Sequence, residues 1–443
     1  MKIDYLQKLK EKLIFLSANP MWGVGLEDVF ENFQIFSGEN YFSKNFLLNQ
    51  KNLKIFELKD IFSTSEIFDN KEFQDYFSKN LNNKNFISTF KPEKIWKKFK
   101  SNFSNTNYLL EKNIEISEKV ENKIKFFEIA KDLNLQIPET EIAQIDSDSF
   151  QKFSKKFENF VVQFPFSAAG LGTYIFQKKD FEILENSESF KRVFVENFGR
   201  VAKVSKFIEG KNLTINACAT KFGTLISFPF AQITGISSLG GGELSSNGTD
   251  FSFEISEKIA EKCKKETKKI GDFLYKNGFC GIFGVDFLLS ESEDIFVIEV
   301  NSRIVFSIPF FTKLEILQNR TPLLFFHYAE LFKKDIKFSD NQFEKSFEKV
   351  FGSQVIVRNG NKKRNFIKFE SGIYDESLNF KKLSIEPKDL QEEDFLFIVN
   401  SGFDFFHNEV LRIQTKNSVL EKNLTTKLSQ NFENFLKKLF KNF

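Results

Sequence analysis

Three observations predict an α/β chain with α+β character. The first is a short apolar run at residues 13–16 (LIFL). It passes through SANPMWGVG into a helical stretch from Leu26 (LEDVFENF), which makes a strand–loop–helix unit. The second is residues 284–303, GVDFLLSESEDIFVIEVNSR, where two arms rich in β-branched and aromatic residues flank a polar turn. The third lies near the C-terminus. FLFIV and VLRIQT read as strands, and a closing amphipathic helix carries Leu428, Phe432, Phe435, Leu436 and Leu439. At 443 residues the chain exceeds one ordinary core, so two to four domains or subdomains are expected.

Composition narrows the chemistry. Hydrophobic residues at 41% and charged residues at 28% fit a globular protein. The 61 Phe are spread along the whole chain, so they read as core residues in place of Leu or Val, from an AT-rich genome, and not as an aromatic patch. The 63 basic and 60 acidic residues interleave to a net +3, which leaves no electrostatic footprint for nucleic acid. Cys218, Cys263 and Cys280 have no metal or redox spacing and read as reduced core thiols. With two histidines, His327 and His407, a His-based triad or His-rich zinc site is not expected, and catalysis must rest on carboxylates, Lys, Arg, amides and a metal. No apolar run reaches membrane-spanning length and no signal peptide is evident, so a cytoplasmic protein without membrane partners is expected.

The elements follow in order. Further strands are expected at 53–58 and 86–90, with helices between, and the polar SNFSNTN at 101–107 reads as a boundary. Gly23-Val24-Gly25 lacks the third glycine of a dinucleotide fingerprint, since position 28 is Asp. Ile124, Phe127, Ile129 and Leu133 have helical spacing, and Pro138 stops that helix. Two apolar strands then flank a small-residue loop at 167–173. It is either an ordinary turn or a phosphate cradle in which Gly170 and Gly172 let backbone N–H groups approach a ligand. A strand from Val201 bends at Glu209-Gly210 into an alternating strand, and a strand pair follows over 224–233. The glycine-rich segment 237–250 reads as either a lid or a disordered surface loop. A helix is expected over 256–277 and another over 322–332, then a hairpin turning at Asn359-Gly360. Arg358 and Arg412 either line the substrate side or are solvated strand arginines, and the solvated reading is the expected one.

Residues 284–303 carry the chemistry. If residues 291–294 form a four-residue turn, Asp286 falls opposite Glu299, and Asn301 and Arg303 follow on the same face. Facing carboxylates repel, and a cation between them would relieve this. Two carboxylates and an amide oxygen suit a hard metal such as Mg²⁺ (or Mn²⁺), with Arg303 placed to meet an anion bound to it. The alternatives are a solvated hairpin face, and for Arg303 a structural ion pair with Glu299 or Asp286.

Four segments, in this order over about 111–335, resemble the ATP-grasp superfamily of carboxylate–amine ligases: NKIKFFEIAKDLNLQIPET, FVVQFPFSAAGLGT, VSKFIEG and GVDFLL…FVIEVNSR. The resemblance implies an ATP-grasp fold. Its expected units are an α/β domain at 1–110, an ATP-grasp domain at 111–340 divided at 205/206, and a small β-rich domain at 341–443. It implies ATP as the nucleotide, held by Lys123, Gln163, Ser167, Gly170, Gly172, Lys206, Ile208 and Glu209, with Asp286, Glu299 and Asn301 on the metal. Lys123 and Arg303 would offset charge as the γ-phosphoryl passes to a small-molecule carboxylate, giving ADP and an acyl phosphate that an amine (or a thiol) attacks. Amino acids or short peptides are the implied substrates. A nucleotide-binding module with little catalysis, or a carboxylase-like subunit, is the alternative. Two positions depart from the family pattern: Gln163 stands where a lysine is usual, and Ser205 where an acid often opens the hinge.

Overall fold

The computed structural model describes residues 8–37, 52–55, 64–80, 85–100, 106–165, 172–181, 187–242, 244–336, 341–359, 369–384, 386–400 and 409–441. Three sheets organise them. The first contains β1 (Leu9–Ser17), β2 (Phe30–Ser37), β3 (Leu53–Ile55), β4 (Asn85–Thr89) and β5 (Asn107–Tyr108), in the order β3-β2-β1-β4-β5, with every pair parallel. The central strand β1 is apolar without alternation because it is covered on both faces, and Leu13 to Leu16 are fully buried. The helix expected from Leu26 stops after one turn, Leu26–Val29, and Phe30 already opens β2. Phe30, Phe33, Ile35 and Phe36 are buried there, and β1 takes up the backbone hydrogen bonds, so pairing overrides a helical reading of a short apolar window.

The second sheet is antiparallel: β6 (Thr140–Gln144), β7 (Phe160–Gln163), β8 (Thr173–Phe176) and β9 (Val201–Lys206), ordered β6-β9-β7-β8. One face packs Phe160, Val162, Phe176, Ala202 and Val204 against Phe150, Phe153 and Phe157 of the helix Ser149–Phe157. The other face carries Gln163, Lys203 and Ser205, by strand alternation.

The third sheet has eleven strands. They are β10 (Gly210–Thr220), β11 (Gly223–Ile226), β12 (Phe230–Thr234), β13 (Ser246–Asp250), β14 (Gly281–Ser290), β15 (Ile295–Asn301), β16 (Ser353–Arg358), β17 (Gly372–Tyr374), β18 (Phe380–Lys382), β19 (Phe395–Val399) and β20 (Glu409–Thr415). The path β15-β14-β10-β12-β13-β16-β20-β19-β17-β18 runs unbroken across residue 340, with β11 paired to β10. The segment 237–250 is therefore not a free loop. Its last five residues, Ser246–Asp250, are an interior strand, and Asp250, fully buried, accepts hydrogen bonds from Val419 N, Leu420 N and Ser418 Oγ. β16 pairs with β13 and β20, while the second arm of the hairpin expected at Asn359-Gly360 falls on residues outside those described.

Helices brace this sheet. Glu257–Lys276 starts at Ser256, whose Oγ accepts from Ile259 N, and buries Ile259, Cys263, Ile270 and Leu274. Ile308–Leu317, with Pro309 in its first turn, was not anticipated from the sequence. Its Lys313, nearly fully buried, pairs with Glu27 and Asp28 at 2.6 Å and with Glu386 at 3.2 Å, and so ties the helical turn Leu26–Val29 to the segment between β18 and β19. Arg412 corrects the expectation of a solvated arginine. It is 1% exposed, holds Glu409 through Nε at 2.7 Å and a second nitrogen at 2.9 Å, and lies over the Phe306 ring. Cys218, Cys263 and Cys280 are free thiols. Among the described residues no helix is long and apolar enough to cross a membrane.

Candidate active site

Asp286 on β14 faces Glu299 on β15. The hairpin reaches this pairing by an unexpected route. It closes with Leu289 opposite Ile295, and Glu293 in the turn takes φ +60°. That register alone would set Asp286 against Ile298. An irregularity between Asp286 and Phe287 takes Ile298 out of register and brings Glu299 across, which is how a bulge re-aims a side chain at a site. On its other side Asp286 faces Thr214 of β10, whose hydroxyl donates to Oδ1 at 2.8 Å.

The remaining contacts arrive from the helices Ile114–Glu121 and Lys123–Asp132. Asn122 caps the second helix, its Oδ1 accepting from Ile124 N and Lys125 N at 3.1 Å, and Lys123 N donates to Pro165 O at 3.0 Å, just beyond β7. This fixes Lys123, whose ammonium pairs with Glu299 Oε2. Asn301 donates from Nδ2 to Asp286 Oδ2 at 3.0 Å and Glu299 Oε1 at 3.3 Å. Its Oδ1 accepts from Arg303 at 2.6 Å, and Arg303 Nε lies 3.4 Å from Glu121. The ion pair weighed for Arg303 is therefore made with Glu121.

The electrostatics separate the two acids. Burial, then the neighbouring Glu299, pushes Asp286 up to about 7. Burial also opposes ionisation of Glu299, but Lys123 and Arg303 outweigh it and hold that carboxyl below its ordinary value. Burial raises Glu121 against the pull of Arg303. Among the described residues no group of three His, Cys, Asp or Glu side chains is placed to hold a metal ion. Two carboxylates and an amide still fit Mg²⁺, which completes its shell with water and phosphate oxygens.

Lys123, Asp286, Glu299, Asn301 and Arg303 thus form one contact network. Gln163, Gly172, Lys206, Ile208 and Glu209 sit on the second sheet and its exit, and among the described residues no hydrogen bond joins them to the acids. Gly172 holds φ +75° and its carbonyl accepts from Phe164 N, while Ser167 and Gly170 lie outside the described residues. Lys206 and Glu209 are exposed and Ile208 is half-buried; the Lys206 N–H is taken by Glu139 O at 2.8 Å. Sequence reasoning missed Thr214, Glu121 and Lys203. Only Lys203 left a signal: in VAKVSK it alternates with Ala202 and Val204, which form a buried face.

A strand–helix lead-in, an antiparallel Gly-turn sheet and a large sheet carrying opposed acids make up an ATP-grasp fold, and the chain has that fold. Residues 120–307 match the family model described as an ATP-grasp domain, and this stretch is such a domain. N5-carboxyaminoimidazole synthase from Aspergillus clavatus, solved with ADP and 5-aminoimidazole ribonucleotide, is similar at 12% identity, 98% of each chain and TM-score 0.61. The biotin carboxylase domain of Hydrogenobacter thermophilus 2-oxoglutarate carboxylase, solved with MgADP, ADP and bicarbonate, is similar at 11% identity and TM-score 0.62, covering 93% of this chain and 87% of that one. The N5-carboxyaminoimidazole ribonucleotide synthetase of Thermus thermophilus aligns at 10% identity, 97% and 98% coverage, and TM-score 0.58. At such identities the likeness is one of fold. A search of the curated proteins finds no match.

Proposed function

We propose that the protein is an ATP-dependent, ADP-forming ligase that activates a small carboxylate as an acyl phosphate and passes it to an amine. The observation that carries this reading is the Asp286–Glu299 pair, bracketed by Lys123 and Arg303. Asp286, Glu299 and Asn301 would hold Mg²⁺ (or Mn²⁺); as a ligand Asn301 would present Oδ1, where it now presents Nδ2. The bound ion would neutralise charge on the β- and γ-phosphates. Lys123 and Arg303 supply the cations that offset charge spreading over the transferred phosphoryl oxygens. The chemistry needs no protein nucleophile.

Two of the structural neighbours were solved with 5-aminoimidazole ribonucleotide and with bicarbonate, and on that support the substrate class is extended to bicarbonate and small heteroaromatic amines. The expected amino-acid or short-peptide substrates gain no support from these neighbours. A second reading, a nucleotide-binding module with little turnover, is favoured by Gln163, which carries no charge, and by Ser205, which is spent on Thr140 at 2.9 Å. A carboxylase-like subunit acting on a separate biotin carrier is the third.

The test is MgATP thermal shift run alongside ADP release, with bicarbonate, amines and amino acids offered singly and in pairs. Substrate-stimulated ADP release supports the ligase. Stabilisation by MgATP with no stimulated release supports the module and sinks the ligase.

A further inference from the structure

Among the described residues, Lys203 is a buried cation that neither the fold nor the acid network accounts for. It lies on β9, directly across from Gln163 on β7, so both side chains stand on one face of the sheet. It is 6% exposed. Its ammonium donates to Gln163 Oε1 at 3.2 Å, and Gln163 Nε2 donates in turn to Thr173 Oγ1 at 3.3 Å on β8. Among the described residues no carboxylate lies within 4 Å of it, whereas Lys123, Arg303 and Lys313 each have one. A neutral amide satisfies one of three N–H donors and none of the charge. A buried ammonium left in that state is unfavourable. Burial, then repulsion from Lys123, brings it down to about 8, and Glu299 acts in the opposite direction, so the Lys123–Glu299 pair lies within electrostatic reach of Lys203.

We propose that Lys203 is a phosphate-binding residue, directed by Gln163 into the space between the second sheet and the Lys123–Glu299 pair, where it meets the polyphosphate of a bound nucleotide. The assignment rests on the nucleotide-binding reading above. Gln163 positions the ammonium and Lys203 supplies the charge, so the binding function is divided between two adjacent strands. Three basic groups, Lys123, Lys203 and Arg303, would then surround the phosphates from three separate elements.

Calorimetric titration of the full chain with MgATP, and separately with adenosine, tests this. Lys203→Gln should weaken MgATP by ~10-fold or more, the loss of one charge-assisted hydrogen bond. Adenosine binding should be unchanged, and the ligand-free melting temperature unchanged or higher, because a desolvated charge is gone. Exchanging the pair, Gln163→Lys with Lys203→Gln, should restore most of the MgATP affinity. Should Lys203→Gln fail to fold, Lys203→Met keeps the stem and serves in its place. Equal MgATP affinity in variant and wild type, or an equal loss for adenosine and MgATP, overturns the assignment while leaving nucleotide binding intact. Wild-type protein that takes up no MgATP overturns the nucleotide reading and this assignment with it.

Discussion

Lys123 and Glu299 are 176 positions apart in sequence and form an ion pair, the lysine 8% and the carboxylate 33% exposed. The pair joins the helix behind the Gly-turn sheet to the acid-bearing hairpin. It also keeps Glu299 ionised beside Asp286, which burial and repulsion push toward the protonated form.

Breaking the acid pair should stop the chemistry and spare the fold. Glu299→Gln and Asp286→Asn should each cut MgATP-dependent ADP release by about 10²-fold or more, the scale of losing a group that stabilises transferred charge. A coupled ADP assay checks this, with circular dichroism to confirm folding. Turnover at the wild-type level in Glu299→Gln would remove the metal assignment.

Lys313→Met should destabilise the protein by ~2–3 kcal/mol, below the full figure for breaking a buried pair because its carboxylate partners keep some solvent. Those partners raise the Lys313 ammonium far above its ordinary range, although burial opposes it. Urea denaturation measures the loss, and an unchanged midpoint would count against the three-way tie.

His327 makes stability fall with acid. Its Nδ1 accepts from Ile282 N at 2.9 Å, and burial lowers it from 6.5 to about 3. Between those values the unfolded chain binds the proton and the native one does not. This stabilising contribution is therefore whole above pH 6.5 and is lost as pH falls toward 3, by ~1.4 kcal/mol per pH unit at most. His327→Gln keeps an acceptor for Ile282 and should flatten the slope in denaturation series between pH 6.5 and 4.5.

Gly248 sits where β13 joins β16, at φ +137°, and a Cβ there would lie 1.9 Å from Gln354 O. Gly248→Ala should cost about 2 kcal/mol or more, from strain and a backbone clash together. Thermal melting reads it, and a shift under 1 °C would be inconsistent with that close approach.

Several elements were legible because their signals are local. The facing of Asp286 and Glu299 could be read from strand alternation and a short turn, although the turn was miscounted and the bulge at Ile298 made up the difference. The closing helix Gln430–Lys441 follows from apolar spacing alone. The one-turn helix at Leu26–Val29 and the strand Ser246–Asp250 were misread because their fate depends on which distant strand takes up their backbone groups.

Covalent order and periodicity determined which residues share a strand face, and with it the acid–acid–amide–arginine row of the hairpin. Only the tertiary structure decided what faces that row: Thr214 from β10, and Glu121 and Lys123 from two helices. Sequence period reports the direction of a side chain within its own element. Which charges meet is set by packing between elements, where burial forces each ionic group toward a partner that local pattern does not encode.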